Sequence, residues 1–153
     1  MREKGNNFAY IDGSNLHKGI LELGWQLDYR RFRVWLTEKY RVSKAYLFLG
    51  FIPANTSLYR DLQDLGYTLI FKPTLPGARG EIKGNCDAEL VLQAVSDMYE
   101  NRYEKCVIVS GDGDFACLVK FLEERSKLNV LLCPSHKKAS ILLRRAAPNT
   151  ILF

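Results

Sequence analysis

The sequence predicts an α/β fold: a three-layer α/β/α sandwich built on a mainly parallel, doubly wound sheet. Short apolar runs rich in β-branched and aromatic residues alternate with stretches whose apolar residues recur at helical spacing. Several of these runs, such as Cys106-Val107-Ile108-Val109, are apolar throughout, the pattern of a strand covered on both faces. The chain has 153 residues, 47% hydrophobic and 25% charged, which suits one domain over 1–153 with a single core.

Phe8-Ala9-Tyr10-Ile11 reads as the first strand, ended by Asp12-Gly13-Ser14-Asn15 and followed by Leu16, Ile20, Leu21 and Leu23 at helical spacing up to Gly24. Asp28 caps a second helix, in which Phe32, Val34, Trp35 and Leu36 are mixed with Arg30, Arg31, Arg33 and Lys39. The three arginines are expected to form a solvated surface. A second strand covers 45–49, a helix runs from Asn55 to Leu65 and closes at Gly66, and a third strand covers 67–71. Periodicity then vanishes between Lys72 and Gly84, where Pro73, Pro76, Gly77, Gly80 and Gly84 mark an irregular binding loop or lid, longer than the usual connection of about 4 to 6 residues. Ala88 to Tyr99 is helical, with Leu90, Val91, Ala94, Val95 and Met98 on the buried side. The fourth strand, 106–109, opens into Ser110-Gly111-Asp112-Gly113-Asp114 and a helix through Glu124. A fifth strand at 130–133, a basic helix from Lys137 to Ala147 and an apolar 150–153 complete the pattern.

Lys plus Arg number 22 against 17 Asp plus Glu, giving +5 and a pI near 9.0, a mild lean toward polyanionic partners. The first residues hold no apolar leader, and no run approaches the roughly 20 apolar residues a membrane helix needs, so a cytoplasmic protein with no membrane partner is expected. A homo-oligomer is compatible with the sequence. Cys86, Cys106, Cys117 and Cys133 show no paired short spacing, and only His17 and His136 could join them, which argues against a zinc site or a disulfide framework. Cys106 and Cys133 read as reduced core thiols.

Four acids stand out: Asp12 after the first strand, Asp87 at a helix start, and Asp112 and Asp114 after the fourth strand. If the fourth strand lies beside the first, these strand ends meet at a reversal of strand order, where open α/β sheets place their sites. Two unit charges about 4 Å apart repel by roughly 4 kcal/mol at an effective dielectric near 20, so such a cluster calls for protons or a cation. Oxygen-only ligands favour Mg²⁺ or Mn²⁺. Taken singly, Asp12 could form an Asx turn, Asp87 could complement a helix dipole and Asp114 could cap a helix. Asn15 and Ser110 read as groups that orient the acids, with helix capping an equally good role for Asn15. Lys72, Arg79 and Lys83, joined by Arg144 and Arg145, form the expected basic rim for the phosphates of a polyanionic partner, although a solvated loop lysine is the plainer account of Lys83 alone.

Tyr10-Ile11-Asp12-Gly13-Ser14-Asn15, Lys83-Gly84 followed by Asp87, and Val109-Ser110-Gly111-Asp112-Gly113-Asp114-Phe115 together resemble the NYN domain, a PIN-like nuclease family that includes LabA-type proteins. The resemblance implies a PIN-like sandwich and divalent-metal-dependent RNA cleavage, with Asp12, Asp87, Asp112 and Asp114 at the family's acidic positions. Two departures stand against it. Asn85 and Cys86 separate Lys83-Gly84 from Asp87 where the family usually has one residue, and the family's further helix Asp falls near Gln93 and Ala94. Asp97 is ten residues from Asp87, about 1000° of helix, and so off the same face. An Mg²⁺- or Mn²⁺-dependent endoribonuclease is the leading expectation, and a non-catalytic RNA-binding or adaptor module that keeps the acidic pocket is the second. An aspartyl-phosphate phosphatase comes last, because that chemistry wants an acid two residues after Asp12 and the chain has Ser14.

Overall fold

The computed structural model describes residues 5–16, 27–50, 53–72, 75–76, 82–83, 86–134, 141–147 and 150–152. Strand β1 (Asn7–Asp12) leads into helix α1, described over residues 13–16. There follow α2 (Tyr29–Tyr40), β2 (Val42–Gly50), a 3-10 turn at Pro53–Asn55, α3 (Thr56–Asp64) and β3 (Tyr67–Lys72). The second half holds the short strands β4 (Leu75–Pro76) and β5 (Ile82–Lys83), then α4 (Asp87–Tyr99), β6 (Cys106–Val109), a 3-10 turn at Gly113–Phe115, α5 (Ala116–Glu124), β7 (Leu128–Cys133), α6 (Ile141–Ala146) and β8 (Thr150–Leu152).

Six strands form one sheet in the order β3-β2-β1-β6-β7-β8, every pair parallel. The first strand therefore lies against the fourth long one, as the strand spacing predicts, with Phe8 opposite Cys106 and Ile11 opposite Val109. Side chains of β1 alternate between the faces. Ala9 and Ile11 join Phe32 and Leu36 of α2 and Leu62 of α3 on one side, while Tyr10 meets Leu90, Ala94 and Met98 of α4 and Leu118 and Leu122 of α5 on the other. This is the α/β/α sandwich. Asp12, two residues beyond Tyr10, shares the α4 face by the same alternation.

Several local expectations hold. The Asp28 side chain accepts from the Arg31 amide at 3.1 Å and starts α2, and Gly66, which ends the α3 turn, has φ +100°, a conformation that suits glycine. None of the four cysteines forms a disulfide, and Cys106 and Cys133 are fully buried. Others need correction. Arg33 is no solvated surface group: its guanidinium donates to the Gly66 and Ser43 carbonyls at 3.1 and 3.3 Å and to the Thr37 hydroxyl at 2.6 Å, clamping the α2–β2 turn to the α3–β3 turn. The segment after Lys72 is not wholly irregular, because Leu75 and Pro76 pair antiparallel with Lys83 and Ile82. The basic helix is described only from Ile141, and residues 135–140 lie outside the described residues, as do residues 17–26, where the rest of the first helix was expected.

Candidate active site

Asp12, Asp87 and Asp112 come together at the carboxyl edge of the sheet, each offering a carboxylate oxygen, with the three oxygens within 4.8 Å of one another. Asp12 closes β1, Asp87 is the first residue of α4, and Asp112 lies in the turn after β6. The chain can turn at Asp12 because residue 13 is glycine: a Cβ there would lie 2.8 Å from the Phe48 carbonyl and collide with the Leu49 side chain. Asp12 is buried and doubly held. Its Oδ1 accepts from the Asn15 amide at 3.2 Å and its Oδ2 from the Ser110 hydroxyl at 3.1 Å. Asn15 Oδ1 in turn accepts from the Gly111 amide at 2.8 Å, and Ser110 Oγ accepts from the Asp112 amide at 3.1 Å. Asn15 and Ser110 thus stitch the β1 turn to the β6 turn.

Asp114 behaves differently from the other three acids. It is exposed and falls outside the set of three, while its amide donates to Asp112 Oδ1 at 2.9 Å. The capping role considered for Asp114 falls to Asp112, which also joins the cluster. Asp114 does not cap α5; Asp112 caps the 3-10 turn that precedes it. The Asp114 side chain lines an open apolar groove of about 460 Å³ together with Asp87, Val91, Leu92, Val95 and Phe115.

Electrostatics mark Asp87. Burial first, then the charges of Asp12, Asp112 and Asp114, push its carboxyl up to about 6, with the Lys72 ammonium opposing. A pair of charges at 4.8 Å and an effective dielectric near 20 repels by about 3.5 kcal/mol, so full ionisation of all three acids is costly without a counter-charge. The donor set fits a hard cation. Oxygens bound to one octahedral Mg²⁺ at about 2.1 Å are about 3.0 Å apart when cis and about 4.2 Å when trans, so a set spanning up to 4.8 Å draws together when it shares one ion.

Among the expected basic residues, Lys72 ends β3 close enough for its charge to act on Asp87. Arg145 is exposed on α6, lining a separate cavity with Cys117 and Lys120. Arg79 and the side chains of Lys83 and Arg144 lie outside the described residues. One acid escaped the sequence reading, and another was read only for its distance from the cluster. Glu89, in the first turn of α4, buries an oxygen that has no hydrogen-bond partner among the described residues. Asp97 does face away from the cluster, as its helical angle requires, but it is 1% exposed and accepts from the Tyr10 hydroxyl at 2.7 Å and from Gln93 Nε2 at 3.0 Å. The signal for it was the apolar neighbourhood of an acid at the inward position of α4.

Comparisons with known proteins bear on the family and the fold. The chain is 31% identical over 125 residues to the low amplitude and bright protein LabA of Synechococcus elongatus, covering 76% of this chain and 67% of that protein. Its fold is similar to that of a protein of unknown function from Vibrio parahaemolyticus, with a TM-score of 0.80 at 22% identity over 100% of this chain and 96% of the other. Among the described residues no helix is long and apolar enough to cross a membrane. The NYN domain family model matches residues 8–152, and the chain belongs to the NYN domain family.

Proposed function

We propose that the chain is a divalent-metal-dependent endoribonuclease, a single domain over residues 1–153 that hydrolyses RNA phosphodiester bonds in the cytoplasm, as a monomer or a homo-oligomer. The observation that best supports this is the convergence of the Asp12, Asp87 and Asp112 carboxylates within 4.8 Å on a NYN-family fold. Held by these three residues, Mg²⁺ or Mn²⁺ would supply positive charge to the phosphate oxygens and lower the pKa of water. Asp12 is fixed by Asn15 and Ser110, so its oxygens keep one orientation while substrate enters. The Asp87 carboxyl, pushed up to about 6 when no ion is bound, would give up its proton as an ion binds. Asp114, exposed beside Asp87, orients the attacking water or holds a second ion. Lys72, Arg79, Lys83, Arg144 and Arg145 contact RNA phosphates in this proposal, each contact adding about 0.7 to the salt slope of single-strand binding.

The test is cleavage of structured and unstructured RNA with Mg²⁺, Mn²⁺ or chelator, beside an Asp112→Asn control. Cutting that requires metal and is lost in the variant is the expected result. RNA bound but uncut would instead favour a non-catalytic RNA-binding or adaptor module. One feature leans that way: Gln93, near the place of the family's further acid, donates to Asp97.

A further inference from the structure

We propose that Tyr10 and Asp97 form a brace that sets the separation of Asp12 from Asp87, and so are positioning residues for cation binding at the cluster. This deepens the proposed function and rests on Asp12, Asp87 and Asp112 being cation ligands. Two of those acids hang on the two elements that the brace joins. Tyr10 is two residues before Asp12 on the same face of β1, and Asp97 is on α4, the helix that begins at Asp87. The hydroxyl-to-carboxylate bond is 2.7 Å long and closes 87 residues of chain.

Both ends of the brace are rigid. Tyr10 is fully buried, stacked on Tyr46 with ring centroids 5.4 Å apart and set edge-on to Tyr103 at 5.9 Å. The Asp97 carboxylate also accepts from Gln93 Nε2 at 3.0 Å and sits 3.8 Å from Arg102 Nε, whose side chain is half exposed. A second hydroxyl grips the same helix, Tyr103 donating to the Ala94 carbonyl at 2.9 Å. A buried acid is a poor choice for stability alone, since apolar residues of similar size usually pack there at no loss. What a directional bond adds is control of helix roll. With carboxylates about 6 Å from the helix axis, a roll of about 20° carries each through about 2 Å. That is a large displacement for a ligand set whose oxygens span 4.8 Å.

Mn²⁺ alone, titrated into the full chain by calorimetry, tests the brace, with folding followed by circular dichroism. Tyr10→Phe keeps the ring and removes the hydroxyl, and should weaken Mn²⁺ binding about tenfold or more, the usual scale for groups that orient ligands. Tyr10→Phe combined with Asp97→Leu leaves no orphaned carboxylate, so it folds even where the single variant does not, and should show the same loss. Asp97→Asn keeps an acceptor for the hydroxyl and should stay within about threefold of the unaltered chain. Tyr67→Phe is the control: it removes a hydroxyl that donates to the Tyr29 carbonyl at 2.7 Å, away from the cluster, and should change nothing. Unaltered affinity in the folded double variant, or an equal loss in Tyr67→Phe, overturns the brace while leaving the cation site intact. Absence of Mn²⁺ binding by the unaltered chain overturns the cation site itself, and the brace with it.

Discussion

Helix α4 carries two acids that look alike in sequence and live in opposite surroundings. Asp87, at its first residue, is surrounded by Asp12, Asp112 and Asp114, and burial and like charge push its carboxyl up to about 6. Asp97, ten residues later and more deeply buried, faces the Tyr10 hydroxyl, Gln93 Nε2 and Arg102. Burial alone therefore does not mark a candidate cation ligand. A buried acid ringed by donors is satisfied and holds the fold, whereas one ringed by other acids is unsatisfied until a proton or a cation arrives.

The contrast is broken most directly by replacement at the cluster. Asp12→Asn should lower single-turnover cleavage of unstructured RNA in Mn²⁺ by more than about a hundredfold, since even groups behind metal ligands cost ten- to a hundredfold. Secondary structure should remain. Asp97→Ala should act first on stability, destabilising the chain by about 1–3 kcal/mol in urea unfolding through the orphaned Tyr10 hydroxyl. If Asp97→Ala is neutral and Asp12→Asn still cuts, the two surroundings have been assigned the wrong way round.

Asp112 lies between these extremes, because it joins the cluster and also accepts from the Asp114 amide. Asp112→Asn keeps an acceptor oxygen and removes a charge, so in chelator its melting temperature should equal or exceed that of the unaltered chain. Asp112→Ala should cost about 0.5–2 kcal/mol for the lost cap, with or without metal. Saturating Mn²⁺, at a hundredfold excess over the dissociation constant, should add about 2.7 kcal/mol to the unaltered chain and much less to either variant.

The pH dependence sharpens the comparison further. The Asp87 carboxyl is raised in the folded chain, so the native state binds the extra proton. Its contribution to stability is fully present below the ordinary carboxylate range and is lost as pH rises through about 6. In chelator, Asp87→Asn should thus stabilise the chain above pH 7, and the gain should disappear by about pH 4. Mn²⁺ affinity should rise with pH across the same window, because ion and proton compete for one carboxylate. The smallest effect is expected at Lys72→Ala, which should lower the salt slope of RNA binding by about 0.7.

The sheet order and the meeting of Asp12 with Asp112 were legible because uninterrupted apolar strands force parallel pairing, and parallel pairing brings strand ends to one edge. What escaped depends on contacts distant in sequence. Arg33 has the composition of a surface residue, and only the approach of Gly66 and Ser43 makes it a clamp. Asp112 and Asp114 both adjoin Gly113, and which of them accepts the turn amide depends on backbone angles, not residue type. Asp97 gave a correct negative, its distance from the cluster, while its bond to Tyr10 across 87 residues left no local trace.

The central place of β1 in the sheet has a consequence for synthesis. Asp12 and the Ser110 hydroxyl that holds it are 98 residues apart, an interval of about 5 to 20 s at typical rates of elongation. Strands β2 and β3 emerge early and can pair with one edge of β1, whose other edge stays bare until β6 leaves the ribosome. The acid cluster comes into being only after residue 112 has emerged. If the cluster cuts RNA, as proposed, a chain assembled in this order is inert toward its own messenger until that point.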